Sequence, residues 1–295
     1  MSRTSTVSSS LRERAAGVPV VPERPGAVVA TLKDLGVRPS KRWGQSFLTD
    51  SFVADAEAAL VELPPGRPVV EVGGGLGILT AALVRRGLGP LTVVEKDGRL
   101  AEYLRSTFGD RINVVREDAL TWPLPPVDCV VGNLPYSVAT PLLVRLWEAR
   151  VPRVVALVQR EVAERLAAGP GSKQYGRLAI VARLYGSVEL FRTVGPEAFT
   201  PRPDVQSRIL VHVARDGPLP VPSVPAFESV VRSLFSSRRK QLGNLLPRVT
   251  PRGREPGELA AAAGWPADWS RRRPEDFAPE LYFALARALS SRSRV

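Results

Sequence analysis

The sequence predicts an α/β fold: a doubly wound, mostly parallel sheet followed by a second, small helical domain. Three observations support this prediction. Short apolar runs alternate with helical stretches, a glycine-rich turn follows the first clear run, and beyond about residue 215 Pro and Gly interrupt short helical segments. With 295 residues, of which 44% are hydrophobic, the chain is long enough to bury one sizeable core and a smaller second one.

From Pro68 onward the apolar pattern repeats as strand, turn and helix. Parallel strands need a crossover connection, usually a helix, so this alternation predicts parallel pairing. The last two strands are close in sequence and could form an antiparallel edge. The predicted elements, in order, are strand 69–72, helix 76–85, strand 91–95, helix 98–108 and strands 112–115, 127–131, 154–158, 188–194 and 209–213.

Composition divides the chain into three parts. Residues 1–38 are rich in Ser, Pro and Arg without a sustained hydrophobic period, so they are interpreted as a flexible leader. The first sixteen residues also suit an organellar transit peptide, although a solvated tail is the favoured interpretation. Residues 39–214 form the predicted α/β domain, and residues 215–295, which begin with a Pro-rich linker, form the predicted small helical domain.

The formal net charge is +12 at pH 7, and the excess is concentrated at the two ends of the chain. Residues 215–295 alone contain 14 Lys and Arg residues against 8 Asp and Glu residues. A positive field attracts polyanions, and Arg binds phosphate through a bidentate fork, so nucleic acid is the leading partner class. An Arg-rich composition with solvated faces would give the same numbers, so charge alone leaves RNA or DNA binding open.

A single Cys and a single His exclude several kinds of site within this chain. Cys129 and His212 cannot build a zinc cluster, a disulfide framework or a His-based catalytic triad. Cys129 lies in an apolar run and is predicted to be in the core, whereas His212 is predicted on the outward face of a late strand. There is no apolar run of about 20 residues and no apolar N-terminal stretch, which predicts a soluble, cytoplasmic protein.

The turn after the first predicted strand is a candidate ligand site. Gly73, Gly75 and Gly77 occur where the backbone turns sharply and can approach a ligand closely. The dinucleotide fingerprint Gly-x-Gly-x-x-Gly needs its third glycine at position 78, which is Ile78. A Gly-x-Gly-x-Gly turn preceded by an acidic residue, here Glu71, is instead usual in S-adenosylmethionine-dependent methyltransferases. A glycine-rich turn without a ligand is the alternative.

Acidic residues follow the next two predicted strands. Glu95 ends the second strand, where a carboxylate can accept hydrogen bonds from both hydroxyls of a ribose. Asp118 follows the third strand, where it can accept a hydrogen bond from an adenine amino group. Each residue alone could equally be a solvated loop residue, but three strand ends converge on the carboxyl edge at which open α/β sheets bind ligands.

The tetrapeptide Asn-Leu-Pro-Tyr at Asn133–Tyr136 follows the fourth predicted strand and is the most specific signal. Such tetrads are typical of enzymes that methylate exocyclic amino groups, whose nitrogen lone pair is delocalised into the ring. If the Asn133 side-chain oxygen and the Leu134 carbonyl accept hydrogen bonds from the amino group, its nitrogen becomes more tetrahedral without a strong base. Pro135 fixes the carbonyl through its φ, and Tyr136 offers a ring on which a base can stack. A plain turn with a packed Tyr is the alternative.

Several segments together resemble the ribosomal RNA adenine dimethyltransferase family, and within it the housekeeping branch of small-subunit rRNA adenine N6,N6-dimethyltransferases. The match runs in order from about Lys41 to His212, and the helical tail is also similar. The segments are Lys41–Asp50, Glu71–Gly77, Val94–Asp97, Asn133–Tyr136, Gln159–Arg165, Pro170–Leu178 and Phe199–Ser207.

The resemblance implies a Rossmann-like class I methyltransferase sheet and a small helical domain that contacts RNA. It implies an enzyme of ribosome biogenesis that transfers four methyl groups from S-adenosylmethionine to two adjacent adenosines in the 3′-terminal hairpin of small-subunit rRNA. The expected partner is the rRNA of the small ribosomal subunit, and we expect a monomer without a metal site or membrane attachment.

The resemblance also implies roles for single residues. Phe199 would form a second aromatic wall for a flipped adenine, opposite Tyr136, although packing of a loop is the alternative. The implied catalytic set is Asn133, Leu134, Pro135, Tyr136 and Phe199. The implied cofactor set comprises Gln45, Ser46, Leu48 and Gly73 at the methionine part, Glu95 at the ribose, Asp118 and Ala119 at the adenine, Asn133 at the methyl-transfer centre, and Glu71, Gly75, Gly77 and Lys96 elsewhere in the site.

Two positions depart from the family pattern, which usually has Asn or His in place of Ser46 and Pro in place of Gly74. Ser46 can still donate one hydrogen bond, and Gly74 is expected to loosen the turn without removing a ligand-facing N–H. Trp43, in the basic segment that begins at Lys41, is expected either to contact RNA or to pin the leader.

Two alternatives to a small-subunit enzyme stay open. Related methylases that act on large-subunit rRNA and confer antibiotic resistance usually carry Asn-Ile-Pro-Phe or Asn-Ile-Pro-Tyr, so Leu134 and the stretch Pro170–Leu178 favour the small subunit. The second alternative is a non-catalytic ribosome assembly factor. Intact Glu95, Asp118 and Asn133–Tyr136 argue against lost chemistry.

Overall fold

The computed structural model describes residues 17–39 and 45–291. Trp43 with its basic neighbours, and the first sixteen residues of the predicted leader, lie outside the described residues. The chain forms two compact units. The first runs to Ala163 and resumes at Glu189–Ala214, and the second comprises Glu164–Val188 and the chain from Arg215 onward. Within the described ranges, no helix is both long and apolar enough to cross a membrane.

Within the described residues, seven strands form one mixed sheet and two short strands form a separate antiparallel pair. The strands are β1 (Phe47–Leu48), β2 (Val69–Val72), β3 (Leu91–Val94), β4 (Asn113–Val115), β5 (Cys129–Asn133), β6 (Arg153–Gln159), β7 (Gly186–Val194), β8 (Phe199–Thr200) and β9 (Ser207–Ala214). The large sheet has the order β4-β3-β2-β5-β6-β9-β7, and β1 pairs with β8.

The predicted mostly parallel sheet is confirmed. The strands β2 to β6 pair in parallel, whereas β9 runs antiparallel to β6. Every residue of β2 is buried, which means that both faces of the sheet are covered at its centre. Gly132 lets β5 approach β2 closely, because a Cβ at this position would lie 2.4 Å from the Val72 carbonyl oxygen.

Helices connect the strands and cover the sheet. Aspartates cap the N-termini of two helices. The Asp50 side chain accepts a hydrogen bond from the Phe52 N–H at 2.9 Å, and the Asp97 side chain accepts one from the Arg99 N–H at 2.8 Å. The helices in the described residues are α1 (Pro25–Asp34), α2 (Ser51–Ala59), α3 (Ile78–Arg85), α4 (Gly98–Phe108), α5 (Ala139–Glu148), α6 (Arg160–Ala167), α7 (Arg177–Tyr185), α8 (Val224–Phe235), α9 (Pro256–Ala262) and α10 (Pro279–Ser290).

The single cysteine and the single histidine of the chain are both in the core of the first unit. Cys129 is fully buried, as predicted, and burial raises the pKa of its thiol to about 12. The prediction for His212 was wrong, since it is fully buried and its ring lies 5.1 Å from that of Trp147 on α5. The strand β9 is covered by this helix on the face that alternation assigned to solvent, whereas Val213 is exposed.

The second unit packs α7, α8 and α10 around an aromatic core. Tyr175 is buried there, and its hydroxyl donates to the Phe277 carbonyl at 2.8 Å. This contact explains why Glu164–Val188, which the composition placed in the first domain, belongs to the compact unit formed by the C-terminal helices. The boundaries of the functional domains stay a prediction.

Candidate functional site

A cavity of about 350 Å³ opens at the carboxyl ends of the parallel strands in the first unit. The turn after β2 and the ends of β3 and β5 line it, together with residues of β1 and β8. Among the residues with implied roles, Gly77 alone does not line the cavity. The others do: Gln45, Ser46, Leu48, Glu71, Gly73, Gly75, Glu95, Lys96, Asp118, Ala119, Asn133, Leu134, Pro135, Tyr136 and Phe199.

The glycine turn needs glycine for two different reasons. Gly73 and Gly75 line the cavity with left-handed backbone, at φ of 77° and 54°. Gly77 also has a positive φ, 85°, but it precedes α3, and a Cβ there would lie 2.6 Å from the Phe108 ring. Gly77 therefore supports packing of the turn, whereas Gly73 and Gly75 line the cavity and donate their N–H groups to the Val94 carbonyl and to Glu95 Oε2.

Gly74, which departs from the family pattern, packs tightly. A Cβ at this position would lie 2.4 Å from Val93 Cγ1 and 2.8 Å from Leu104 Cδ1. The space that a proline ring would use is therefore occupied by side chains of β3 and α4. The expectation that Gly74 loosens the turn stays a prediction.

Glu71, the last residue but one of β2, is a buried acid beside the cavity. Its Oε2 accepts from Thr80 Oγ1 at 2.7 Å, whereas its Oε1 is buried with no hydrogen-bond partner among the described residues. Burial raises the pKa of Glu71 to about 8. One oxygen of this carboxyl group is therefore left to bind a hydrogen-bond donor, or to carry the proton of the neutral acid.

Glu95 and Asp118 are held by backbone N–H groups. Glu95 Oε2 accepts a hydrogen bond from Gly75 N at 3.0 Å, and its Oε1 accepts one from Asp97 N at 2.9 Å. Burial raises the pKa of Glu95. Asp118 bonds to Lys96 Nζ at 2.8 Å, and this hydrogen bond lowers the pKa of Asp118.

Asn133 ends β5 and reaches the cavity next to the glycine turn. Its neighbour Leu134 donates its N–H to the Leu157 carbonyl at 3.1 Å, which fixes the backbone at this strand end. The hydrogen-bond network assigns the orientation of the Asn133 amide: its nitrogen donates to Glu57 Oε1 at 2.8 Å and Oε2 at 3.0 Å. In the opposite orientation the amide oxygen would face these two acceptors.

Two aromatic residues line the cavity beside Asn133. Tyr136 is half-buried, and its hydroxyl lies 2.6 Å from Ser207 Oγ. Phe199 is buried and pairs with Leu48 between β8 and β1, so it packs the small sheet and faces the cavity as well. Phe199 therefore packs the small sheet, and its role as a wall for a flipped adenine stays a prediction.

Sequence reasoning missed Glu57 and the part played by Ser207. Glu57 lies on the buried face of α2, which it shares with Val53, Ala54 and Ala58. An acidic residue on an otherwise apolar helix face was the signal from which Glu57 could have been found. Ser207 ends the segment that begins at Phe199, but nothing in the sequence pairs its hydroxyl with Tyr136.

The cavity is acidic. Five acidic side chains, one of them Glu71 with its raised pKa, line it against one lysine, Lys96, which already bonds to Asp118. The acidic residues are Glu71, Glu95, Asp97, Glu117 and Asp118. Such a lining favours a cationic ligand and disfavours the phosphates of a nucleic acid, so a polyanion could insert only a neutral base.

A protein-family model described as ribosomal RNA adenine dimethylase matches residues 37–259, which is more than half of the chain. The chain is 37% identical over 277 residues to the ribosomal RNA small subunit methyltransferase A of Anaeromyxobacter dehalogenans, covering 88% of this chain and 96% of that protein. It is 43% identical over 229 residues to the protein of the same name from Deinococcus radiodurans, covering 75% of this chain and 77% of that protein.

Two solved structures have a similar fold. The dimethyladenosine transferase from Plasmodium falciparum superposes with a TM-score of 0.70 at 22% identity, covering 81% of this chain and 95% of that chain. The 23S rRNA methyltransferase ErmE superposes with a TM-score of 0.66 at 27% identity, covering 83% of this chain and all (100%) of that chain. The predicted fold class is therefore confirmed, and the chain belongs to the ribosomal RNA adenine dimethylase family.

Proposed function

We propose that this protein dimethylates the N6 amino groups of two adjacent adenosines in the 3′-terminal hairpin of small-subunit rRNA, using S-adenosylmethionine. The observation that carries the proposal is the placement of Asn133 and the glycine turn at one cavity. A methyl donor and an acceptor base can therefore meet there.

The residues around the glycine turn fit the cofactor. S-adenosylmethionine supplies an electrophilic methyl group on a positively charged sulfur and carries a second positive charge on its ammonium group. The carboxylates of the cavity lining complement these charges, and Gly73 and Gly75 line the cavity where the methionine part would bind. Glu95 would accept hydrogen bonds from the ribose hydroxyls, while Asp118 and Ala119 would hold the adenine.

Asn133 and Leu134 would activate the target nitrogen by hydrogen bonding. The Asn133 amide oxygen and the Leu134 carbonyl each accept one N6–H, which directs the nitrogen lone pair towards the methyl group. Bound S-adenosylmethionine would supply the methyl group, with the electron pair of the broken C–S bond going to sulfur, and the N6 proton would pass to water. The residues act by orientation, so no strongly basic side chain is required.

Tyr136 and Phe199 would hold the flipped base by stacking. Aromatic stacking stabilises a base by roughly 1–3 kcal/mol and does not depend on its sequence context. The hydroxyl of Tyr136 is fixed beside Ser207, so the ring is oriented before the base enters. This preorganisation lowers the cost of taking an adenosine out of its helix.

The names of the relatives favour the small subunit over the large one. Both relatives at 37% and 43% identity are named small subunit methyltransferases, whereas the large-subunit alternative rests on the similarity to ErmE at 27% identity. The deciding experiment incubates the protein with labelled S-adenosylmethionine and, separately, with unmethylated small and large subunits, and then maps the label. We expect two N6,N6-dimethyladenosines in small-subunit rRNA. Label on large-subunit rRNA would refute the substrate, and no label on either would favour the assembly factor.

We also propose that the enzyme acts as a monomer in the cytoplasm. The residues assigned to the methyl donor and to the target base, from the glycine turn to Asn133, all belong to one chain, so the proposed reaction needs no second copy. Sedimentation of the purified protein at micromolar concentration measures its mass in solution, and we expect the mass of one chain.

A further inference from the structure

We propose that Glu57 is a positioning residue that holds the Asn133 amide with its oxygen towards the methyl-transfer centre. The inference rests on the proposed function, because it assigns a role to Asn133 in that reaction. It concerns a residue of α2 that does not line the cavity and that acts through another side chain.

The contact between the two residues is close and two-sided. In the orientation that the hydrogen-bond network assigns, both carboxylate oxygens of Glu57 lie within hydrogen-bond distance of the Asn133 amide nitrogen, at 2.8 and 3.0 Å. Glu57 is fully buried, whereas Asn133 is half-buried and lines the cavity. One end of the Asn133 amide is thus fixed in the core and the other end is presented to a ligand.

The ionised Glu57 carboxylate determines whether the nitrogen or the oxygen of the Asn133 amide faces the cavity. An ionised carboxylate only accepts hydrogen bonds, so it binds the amide NH2 group and leaves the amide oxygen facing the cavity. The opposite orientation would place amide N–H groups against the N6–H groups of the substrate, donor against donor. Since the two orientations of an isolated amide have nearly the same shape, a fixed partner is needed to select the productive one.

Packing of α2 does not require a glutamate at position 57. Glu57 lies on the helix face that carries Val53, Ala54 and Ala58, where an apolar residue would pack without the cost of burying an acid. The Asn133 amide supplies the hydrogen bonds that a buried carboxylate needs. The pair therefore satisfies Glu57 and orients Asn133 at the same time.

Protonation of Glu57 would reverse the orientation of the Asn133 amide, because the neutral acid can donate a hydrogen bond to the amide oxygen. Burial, and next the charge of Glu71 on β2, raise the pKa of Glu57, whereas hydrogen bonds from the Asn133 amide favour its ionised form. The other charged groups on elements packed against α2 have partners of their own. Arg85 on α3 pairs with Asp55 of α2, and Arg153 on β6 bonds to the Leu60 carbonyl and to Glu62.

The first test compares Glu57→Gln with the wild type. Glutamine has nearly the same shape but offers both a donor and an acceptor, so the amide loses its preferred orientation. We expect kcat to fall roughly 10- to 100-fold while the dissociation constant of S-adenosylmethionine, measured by calorimetry, changes less than about twofold. Since the neutral acid reverses the amide, wild-type kcat should also fall as the pH is lowered, and this part of the pH profile should be absent in Glu57→Gln.

The matched control is Asp55→Asn, the same chemical change on the same helix but at a half-exposed carboxylate that pairs with Arg85. We expect its kcat and cofactor affinity to stay within about twofold of the wild type. A Glu57→Gln variant as active as this control would overturn the inference. An equal loss of kcat and cofactor affinity would also overturn it, since that pattern indicates a general structural defect.

A second measurement does not depend on activity. The side-chain NH2 signals of Asn133, identified by their absence in Asn133→Ala, should shift in the NMR spectrum of Glu57→Gln and stay in place in Asp55→Asn. Unchanged signals in Glu57→Gln would overturn the positioning role. Wild-type protein that methylates neither subunit would refute the proposed function alone, because the NMR comparison still decides the orientation of Asn133.

Discussion

At the scale of single residues, the cavity depends on polar side chains that are buried yet hold defined partners. Asn133 lines the cavity and its amide nitrogen is assigned to Glu57, and Glu71 has one oxygen at Thr80 and the other without a partner among the described residues. Buried polar groups of this kind are costly unless their hydrogen bonds are made. Their presence at one end of the sheet is better explained by ligand binding than by packing.

Asn133→Ala should abolish detectable methyl transfer, with a loss of at least roughly 10²-fold, because it removes one of the two acceptors for N6–H. Cofactor affinity should change little, since the glycine turn, Glu95 and Asp118 are untouched. Single-turnover transfer and calorimetric titration with S-adenosylmethionine measure the two quantities separately. Wild-type turnover in this variant would refute the role of Asn133 in the reaction.

Glu71 should make the stability of the ligand-free protein depend on pH. Its pKa is about 8 in the folded protein and near the ordinary value of 4.5 in the unfolded chain, so the folded state binds the extra proton between these values. The resulting stabilisation is full below about pH 4.5 and is lost as the pH rises through 8. A shift of this size corresponds to on the order of 5 kcal/mol.

Urea unfolding at pH values of about 5, 7 and 9, which bracket this transition, measures the effect. The free energy of unfolding should fall between the lowest and the highest pH in the wild type, and Glu71→Gln should reduce the decline. Glu62→Gln, at an exposed glutamate, is the control and should keep the wild-type slope. A Glu71→Gln variant with the same slope as the wild type would contradict the assignment.

At the scale of secondary-structure elements, the sequence predicted most of the sheet because its strands are runs of β-branched residues between turns. Strand 69–72 and helix 98–108 coincide with β2 and α4. His212 was misassigned because strict alternation applies to strands with one solvated face, whereas β9 is covered by α5 at that residue. The partnership of Glu57 and Asn133 was not predictable, since it joins distant segments through side-chain packing.

The spacing between β2 and β5 makes Gly132 a critical position. Gly132→Ala places a methyl group 2.4 Å from the Val72 carbonyl oxygen, which is backbone and cannot rotate away. We expect a loss of about 1–3 kcal/mol in the free energy of unfolding, and lower activity, because Asn133 follows directly. Gly26→Ala in α1, where a Cβ has no atom within 4 Å, is the control and should be neutral or slightly stabilising. Equal stability of the two variants, measured by urea unfolding, would contradict the prediction.

At the scale of the whole molecule, charge is distributed unevenly between cavity and chain. The lining of the cavity is acidic, whereas the complete chain carries a net charge of +12. In the proposed function this difference separates two tasks: the acidic cavity would bind the cationic cofactor and admit only the base, while basic residues elsewhere would bind the phosphate backbone. The C-terminal helices, with their excess of Arg, are the proposed place for the second task.

The RNA-contacting role of the C-terminal helices is best tested by substitution. Truncation before Arg215 would remove the partner of the Tyr175 hydroxyl, so it would damage the second unit as well as its charge. Arg239 and Lys240 are exposed just beyond α8, and replacing both with Gln removes two charges without disturbing a buried side chain.

The double variant should weaken binding of the small subunit and reduce the slope of log K against log salt concentration by about one unit for each phosphate that is no longer neutralised. Methyl transfer at saturating subunit should stay near the wild-type rate, because the cavity is unchanged. Arg272→Gln is the control, since Asp268 already compensates the charge of this guanidinium at 3.0 Å, and it should change the slope less. Filter binding between about 50 and 300 mM salt, roughly the range over which phosphate interactions are screened, measures all three proteins. An unchanged slope in the double variant would mean that the RNA is bound elsewhere on the chain.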